Sequence, residues 1–205
     1  MANLLSEGVF FAWSTWPVRV LIISLIALNI TASSYSVLLP VFARDFFSGD
    51  AKTLGWLWGS VGLGSFASTI YLTTLRSAHS LVLALSVGLI ASAASIICCA
   101  LSNSIPLALF AMAGLGGGIT ASNVSINMLL QSIASDRLRG RIVSFFTSAR
   151  FGFDAIGGLI AGIVATIFSA RHTLLMEGTL LFAFLFLLFL PRRLRLSALV
   201  GRVLL

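Results

Sequence analysis

Arg150 and Asp154 stand four residues apart in an otherwise apolar stretch, IVSFFTSARFGFDAIGGLIAG. On a helix that spacing puts both side chains on one face. Counted from Arg141 at about 1.5 Å per residue, Arg150 lies roughly 13 Å and Asp154 roughly 20 Å along the axis. In a hydrocarbon layer about 30 Å thick the two would bracket the centre. Each charge there costs about 2.5 to 3.5 kcal/mol, so both must find a partner or a wet cavity within the protein. Two chemistries fit: Asp154 takes up and releases a proton with Arg150 setting its acidity, or the two form an ion pair that only orders the helices around them.

A second group of polar residues recurs at helical spacing. Asn123, Asn127 and Gln131 follow one another every four residues, placing three amides along one stripe. Left in hydrocarbon those amides would be unsatisfied and costly, so they face other helices as hydrogen-bonding glue or line a polar cavity. Asn29, followed by Thr31, Ser33, Ser34, Tyr35 and Ser36, marks a similar polar half on the first apolar run. Catalysis has little to work with. His79 and His172 lie near loops, Cys98 and Cys99 are adjacent in an apolar run, and no cluster has metal-ligand spacing or forms a nucleotide-binding loop. The sequence therefore predicts no enzyme, metal or cofactor.

The elements that must position these residues are helices in a bilayer. With 59% hydrophobic and 9% charged residues in 205, and a mean hydropathy of +1.07, the chain has too little polar surface for a soluble globule. Apolar runs predict six spans, at about 20–42, 54–75, 81–101, 107–133, 142–168 and 174–190, in an all-α polytopic membrane bundle. Residues 1–19 are expected as an N-terminal interfacial segment, 20–190 as the transmembrane domain and 191–205 as a basic tail. Segment 1–16 has Glu7 and no basic start, so it does not predict a cleavable signal peptide. Glu177 is expected near enough to one end of the sixth span to reach the interface.

Among these runs, Gly55 and Gly59 form a small-xxx-small pair, and Gly157, Gly158 and Gly162 follow the charged pair; all five are candidates for close helix packing. The segment SDRLRGR is expected as a tight basic turn, with Gly140 allowing the reversal and Arg137, Arg139 and Arg141 free to meet Asp136, lipid phosphate or the preceding helix end. Such a turn can serve as a topology signal or as a gating latch. Arg19, Arg76, Arg137, Arg139, Arg141, Arg192, Arg193, Arg195 and Arg202 collect on one side of six spans, against Arg44, Lys52 and Arg171 on the other. The richer side predicts the cytoplasm, with both termini inside. The excess of 13 basic over 6 acidic residues is thus a topology signal and not a nucleic-acid surface.

Ile30 to Ser36 reads ITASSYS and Ile119 to Ser125 reads ITASNVS, matching at five of seven positions with an offset of 89. Pro17 and Pro106 lead into their spans at the same offset. That is the spacing of two three-helix units of opposite topology, a 3+3 inverted repeat. The stretches SEGVFFAWSTWPVRVLI, SVLLPVFARD and GLGGGITASNVSINMLLQSIASDRLRGRIVSFFTSARFGFDAIGGLIAG resemble the C-terminal half of a major facilitator superfamily transporter, in the bacterial subgroup of macrolide and enterobactin exporters. The resemblance runs from about Glu7 to Leu190. It implies a half-transporter in the bacterial inner membrane, exporting small amphipathic molecules such as drugs or siderophores in exchange for protons. Twelve spans are the family pattern, so Met1 would fall in the central linker, and the partner would be a separate N-terminal six-helix half or a second copy. The alternative is a truncated, non-transporting membrane protein acting through helix packing. LTTLRSAHS departs from the family's loop motif by lacking its Gly, Asp and paired basic residues.

Overall fold

The structure, a computed structural model, describes residues 16–32, 35–47, 49–134 and 136–189. Seven helices account for them: α1 Trp16–Thr31, α2 Tyr35–Phe47, α3 Ala51–Thr73, α4 Ala78–Leu101, α5 Ile105–Ile133, α6 Asp136–Phe168 and α7 Ala170–Phe189. The expected interfacial segment before Trp16 and the basic tail after Phe189 lie outside the described residues, as do Ser33 and Ser34.

The first apolar run becomes two helices, α1 and α2. Within α2, Pro40 has no N–H to give to the preceding turn. Five helical segments are long and apolar enough to cross a membrane, with Trp16–Asp45 counted as one. The 23-residue α3 is not among them, because its Gly, Ser, Thr and Trp residues lower its mean hydropathy. It nonetheless packs along α5 over one of the most extensive contacts in the bundle.

Local chemistry sets the helix starts. Asp50 caps α3, its carboxylate accepting from the amides of Lys52 and Thr53 at 3.0 Å each. Those bonds, led by the one from Thr53, hold its pKa below the ordinary 3.8. Ser77 caps α4 by accepting from the Ser80 amide, and Pro106 occupies the first turn of α5, where a missing N–H costs nothing.

Two boundaries differ from expectation. The basic segment is helix, not turn: α6 begins at Asp136, so Arg139, Gly140 and Arg141 lie in its first two turns. Arg and Leu are good helix formers and Asp suits a helix N-terminus, which together outweigh the roughly 1 kcal/mol cost of one helical Gly. Likewise residues 169–173, which fall between the fifth and sixth expected spans, are almost entirely helical, and α6 passes to α7 through Ser169 alone, whose φ of 72° is left-handed. Ser169 is held there by bonds on both sides: its amide donates to the Ala165 carbonyl and its carbonyl accepts from the Thr173 amide and hydroxyl. Arg171, just beyond, donates to the Ser102 carbonyl at 3.0 Å and to Asn103 Oδ1 at 2.7 Å, tying the start of α7 to the α4–α5 connection.

Helix α5 is the hub. It packs on α3 and α4, α4 packs on α7, and α6 packs on α1 and α2. The α3–α5 crossing is close enough that a Cβ on Gly64 would strike the Ala113 carbonyl, and one on Gly116 the Val61 carbonyl. There Ser65 Oγ donates to the Gly116 carbonyl at 3.1 Å. The exterior is apolar as well as the core, and a few polar side chains lie inside. Phe66, Phe110, Leu159 and Ile167 are among the most exposed side chains, whereas Asn29, Asn123, Ser122 and Ser125 are buried. That distribution suits an integral membrane bundle. Glu177, expected near one end of the sixth span, is buried on α7 at 8% exposure.

Candidate functional site

Helix α6 decides where the charged pair points. Its packed stripe runs through Phe146, Arg150, Asp154, Gly157, Gly158 and Ala161, while Phe151, Leu159 and Ile163 are exposed. Gly157 brings α6 against the end of α1, since a Cβ there would strike the Ile30 carbonyl. Gly158 and Gly162 follow along α2, where a Cβ added at each would come 3.0 Å and 3.9 Å from the Val37 methyl groups. Asp154 and Arg150 lie one and two turns before this contact, half-buried, on the face turned toward α1 and α2. In the 33-residue helix they bracket the midpoint.

The two charges do not pair with each other. Among the described residues the ion pair that forms is Arg44–Asp45, at 2.9 Å on the surface. Arg150 instead carries its guanidinium over the Phe151 ring, 5.3 Å from the centroid. Tyr35 is the first residue of α2. Its ring lies 5.7 Å from that of Trp58 on α3, tilted by 51°. An aromatic contact thus joins the start of α2 to α3.

The contact between Tyr35 and Trp58 is one that the sequence alone did not single out. One signal was present: the echo that aligns ITASSYS with ITASNVS puts Tyr35 where the second copy has Val124, an aromatic departure from an otherwise small-residue repeat.

The amides divide into two groups. Asn29 Nδ2 donates to Asn123 Oδ1 at 3.2 Å and to the Leu25 carbonyl at 2.8 Å, joining α1 to α5 deep in the bundle. Farther along α5, Gln131 Nε2 donates to Asn127 Oδ1 at 3.0 Å, a bond within one helix between half-buried residues. The Asn123 Nδ2 group is fully buried with no hydrogen-bond partner. Replacing Asn29 by leucine should therefore cost about 1–3 kcal/mol, because it also strands the Asn123 carbonyl. The Asn29→Leu, Asn123→Leu double variant should lose less than the sum of the singles, as read from unfolding titrations in detergent.

Arg139 and Arg141 are exposed at the start of α6, and the side chains of Asp136 and Arg137 lie outside the described residues. Gly140 has nothing within 4 Å of an added Cβ. Gly55 and Gly59 differ from the packing expected of them in the same way: together with Gly62 they face open space. Their small-xxx-small stripe meets no other helix among the described residues, since α3 turns its opposite side, Val61 and Gly64, to α5.

The family model described as transmembrane secretion effector matches residues 1–199. This chain belongs to that family of major facilitator transporters. A curated relative, the multidrug efflux pump Tap of Mycolicibacterium fortuitum, is 25% identical over 188 residues, covering 91% of this chain and 46% of the relative. The chain thus spans about half the length of the relative that it matches. No solved structure matches it. Membership in a family of membrane transporters gives the bundle its setting. Within such a bundle, Arg150 and Asp154 are half-buried ionisable groups at mid-helix.

Proposed function

We propose that this chain is a six-helix half of a proton-coupled exporter of small amphipathic molecules, in a bacterial inner membrane with both termini cytoplasmic. One observation carries the reading: Asp154 sits half-buried at the middle of a long apolar helix, on its packed face, with no ion pair among the described residues. A carboxylate so placed is costly unless it changes protonation state or meets a ligand. The name of the multidrug relative supports a drug-like substrate, and the nine-to-three division of basic residues between the two faces supports the orientation.

The helix contacts support a 3+3 inverted repeat. Exchanging the first three spans with the last three maps the contact of α1 and α2 with α6 onto that of α3 with α5. The α4–α7 contact maps onto itself. The open stripe of Gly55, Gly59 and Gly62 supports a partner half, either separately encoded or a second copy, packed against α3.

Dye accumulation tests the reading. Cells lacking their own drug pumps, carrying the coding region with its neighbouring frames, should accumulate several-fold less ethidium than cells without it. A protonophore should erase the difference. Equal accumulation in both cell lines would count against export, and export that survives the protonophore would remove the proton coupling.

A further inference from the structure

A trough runs along the outside of the bundle where α3, α4 and α5 meet, well apart from the charged pair on α6. Its volume of about 310 Å³ is near the lower end of the roughly 300–1,000 Å³ of ligand pockets. Small residues form its floor: Gly88 and Ala91 of α4, and Gly117, Gly118 and Ala121 of α5. They lie where the two backbones approach closely, since a Cβ on Gly118 would come 2.7 Å from the Gly88 carbonyl. Tyr71, Leu83 and Val87 stand beside the floor, each more than half exposed. In a bilayer such a trough meets hydrocarbon, and a chain that fills it recovers the dispersion contacts that an empty one forgoes.

One end of the trough is basic. Tyr71 lies in the last turn of α3 and Leu83 in the second turn of α4, so the α3–α4 connection closes that end. Arg76 stands in this connection, exposed and without an ion pair among the described residues. His79, also exposed, precedes Leu83 and Val87 by four and eight residues and shares their stripe on α4. The start of α4 adds the positive end of its helix dipole. Between Asp50 and Asp136 the sequence holds no acidic residue, so α3, α4 and α5 offer these groups no carboxylate. The complement must come from outside the three helices. A second copy joined through the same face would bring another Arg76 to the same end and no acid to offset it.

We propose that the trough seats one acyl chain of an anionic phospholipid, with the phosphate held at the basic end by Arg76 and His79. The site rests on the membrane setting of the family and not on the export reading. Arg76 supplies the charge, the His79 ring supplies an N–H donor, and Tyr71 sits at the headgroup level that suits an amphipathic ring. A zwitterionic lipid has the same chain, but its ammonium group offsets the phosphate, so headgroup charge sets the preference.

The test is photolabelling of the full chain in phosphatidylcholine nanodiscs that contain a trace of phosphatidylglycerol with a diazirine on its acyl chain. Phosphatidylethanolamine with the same diazirine chain is the control, and digestion with mass spectrometry maps the label. Phosphatidylglycerol should label residues 83–91 and 114–121 well above the exposed stretch 159–167 of α6, and about fivefold more than phosphatidylethanolamine does. Arg76→Gln should lower that labelling about fivefold, to the level of phosphatidylethanolamine, the factor expected for one basic group at a membrane surface. Arg76→Lys should keep it within about twofold. Ala91→Phe, which fills the trough, should lower labelling of residues 114–121 by both lipids. Arg76→Gln changes an exposed side chain and keeps the test decisive if Ala91→Phe does not fold.

Equal labelling by the two lipids would overturn the anionic site, as would native labelling in Arg76→Gln. Labelling no stronger at the trough than on 159–167, or unchanged in a folded Ala91→Phe, would overturn the seat of the chain. An unlabelled trough in a chain that native mass spectrometry shows to be dimeric would overturn it too, and would give this face to a second copy. Labelling as expected in a chain that exports no ethidium would uphold the lipid site and sink the exporter alone.

Discussion

Gly116→Leu should yield a chain that enters the membrane but does not hold α3 against α5. The Val61 carbonyl already occupies the space that a Cβ would take, and it belongs to the backbone, so no rotamer change relieves the clash. In a bilayer, helices gain little from burying apolar surface against each other, and close backbone approach is the main source of their attraction. Separating the pair also costs the Ser65 Oγ bond to the Gly116 carbonyl. Overpacking by a few carbons costs about 1–3 kcal/mol where side chains can adjust, and the upper end or more is expected here. Gly59→Leu lies on the same α3 but faces open space. It should change the stability of the isolated chain by no more than about 0.5 kcal/mol. Denaturant titrations of both variants in one detergent make the comparison direct. Equal damage from the two would mean that α3 presents a different side to α5.

Asp154→Asn should abolish dye export while leaving the chain folded. A structural ion pair with Arg150 would make this substitution destabilising, because it would strand a buried guanidinium. The geometry expects otherwise, since Arg150 lies over Phe151 and no ion pair joins the two. Removing the charge also lifts an insertion cost of about 2.5 to 3.5 kcal/mol, so the variant should be as stable as the native chain or more so. Export measured as the rate of ethidium loss should fall at least about tenfold, consistent with loss of a group that must gain and release a proton. Native export rates in Asp154→Asn would remove this residue from the mechanism. Reduced export together with a lowered unfolding midpoint would restore the structural reading.

Much of the helical framework was legible because the apolar runs are long and their ends carry polar or proline signals. The expected span 107–133 differs from α5, Ile105–Ile133, only by its first residues, and 81–101 shares its far end with α4. The start of α6 was not legible for a specific reason. Gly140 amid arginines has the composition of a turn, and only the continued hydrogen bonding of the folded chain shows that one glycine is tolerated. Which glycines pack was also beyond reach. Gly59 and Gly157 each belong to a small-residue motif, but whether a motif meets a neighbour depends on the azimuth of its helix, set by all the other helices. Sequence periodicity placed Arg150 and Asp154 on one face; it had no means of bringing Tyr35 from α2 and Trp58 from α3 into ring contact.

The single-residue link at Ser169 bears on how the bundle can move. With one residue between α6 and α7, its backbone held by bonds on both sides, and with Arg171 clasping the α4–α5 connection, that end of the molecule has no slack. Any swing of α6 must therefore use this end as its fulcrum. Asp154 lies 14 residues from the end of α6, roughly 21 Å along the axis, and a tilt of about 5° there would carry it sideways by about 2 Å. A small rotation at the stitched rim thus becomes, at mid-membrane, a displacement large enough to make or break a hydrogen bond.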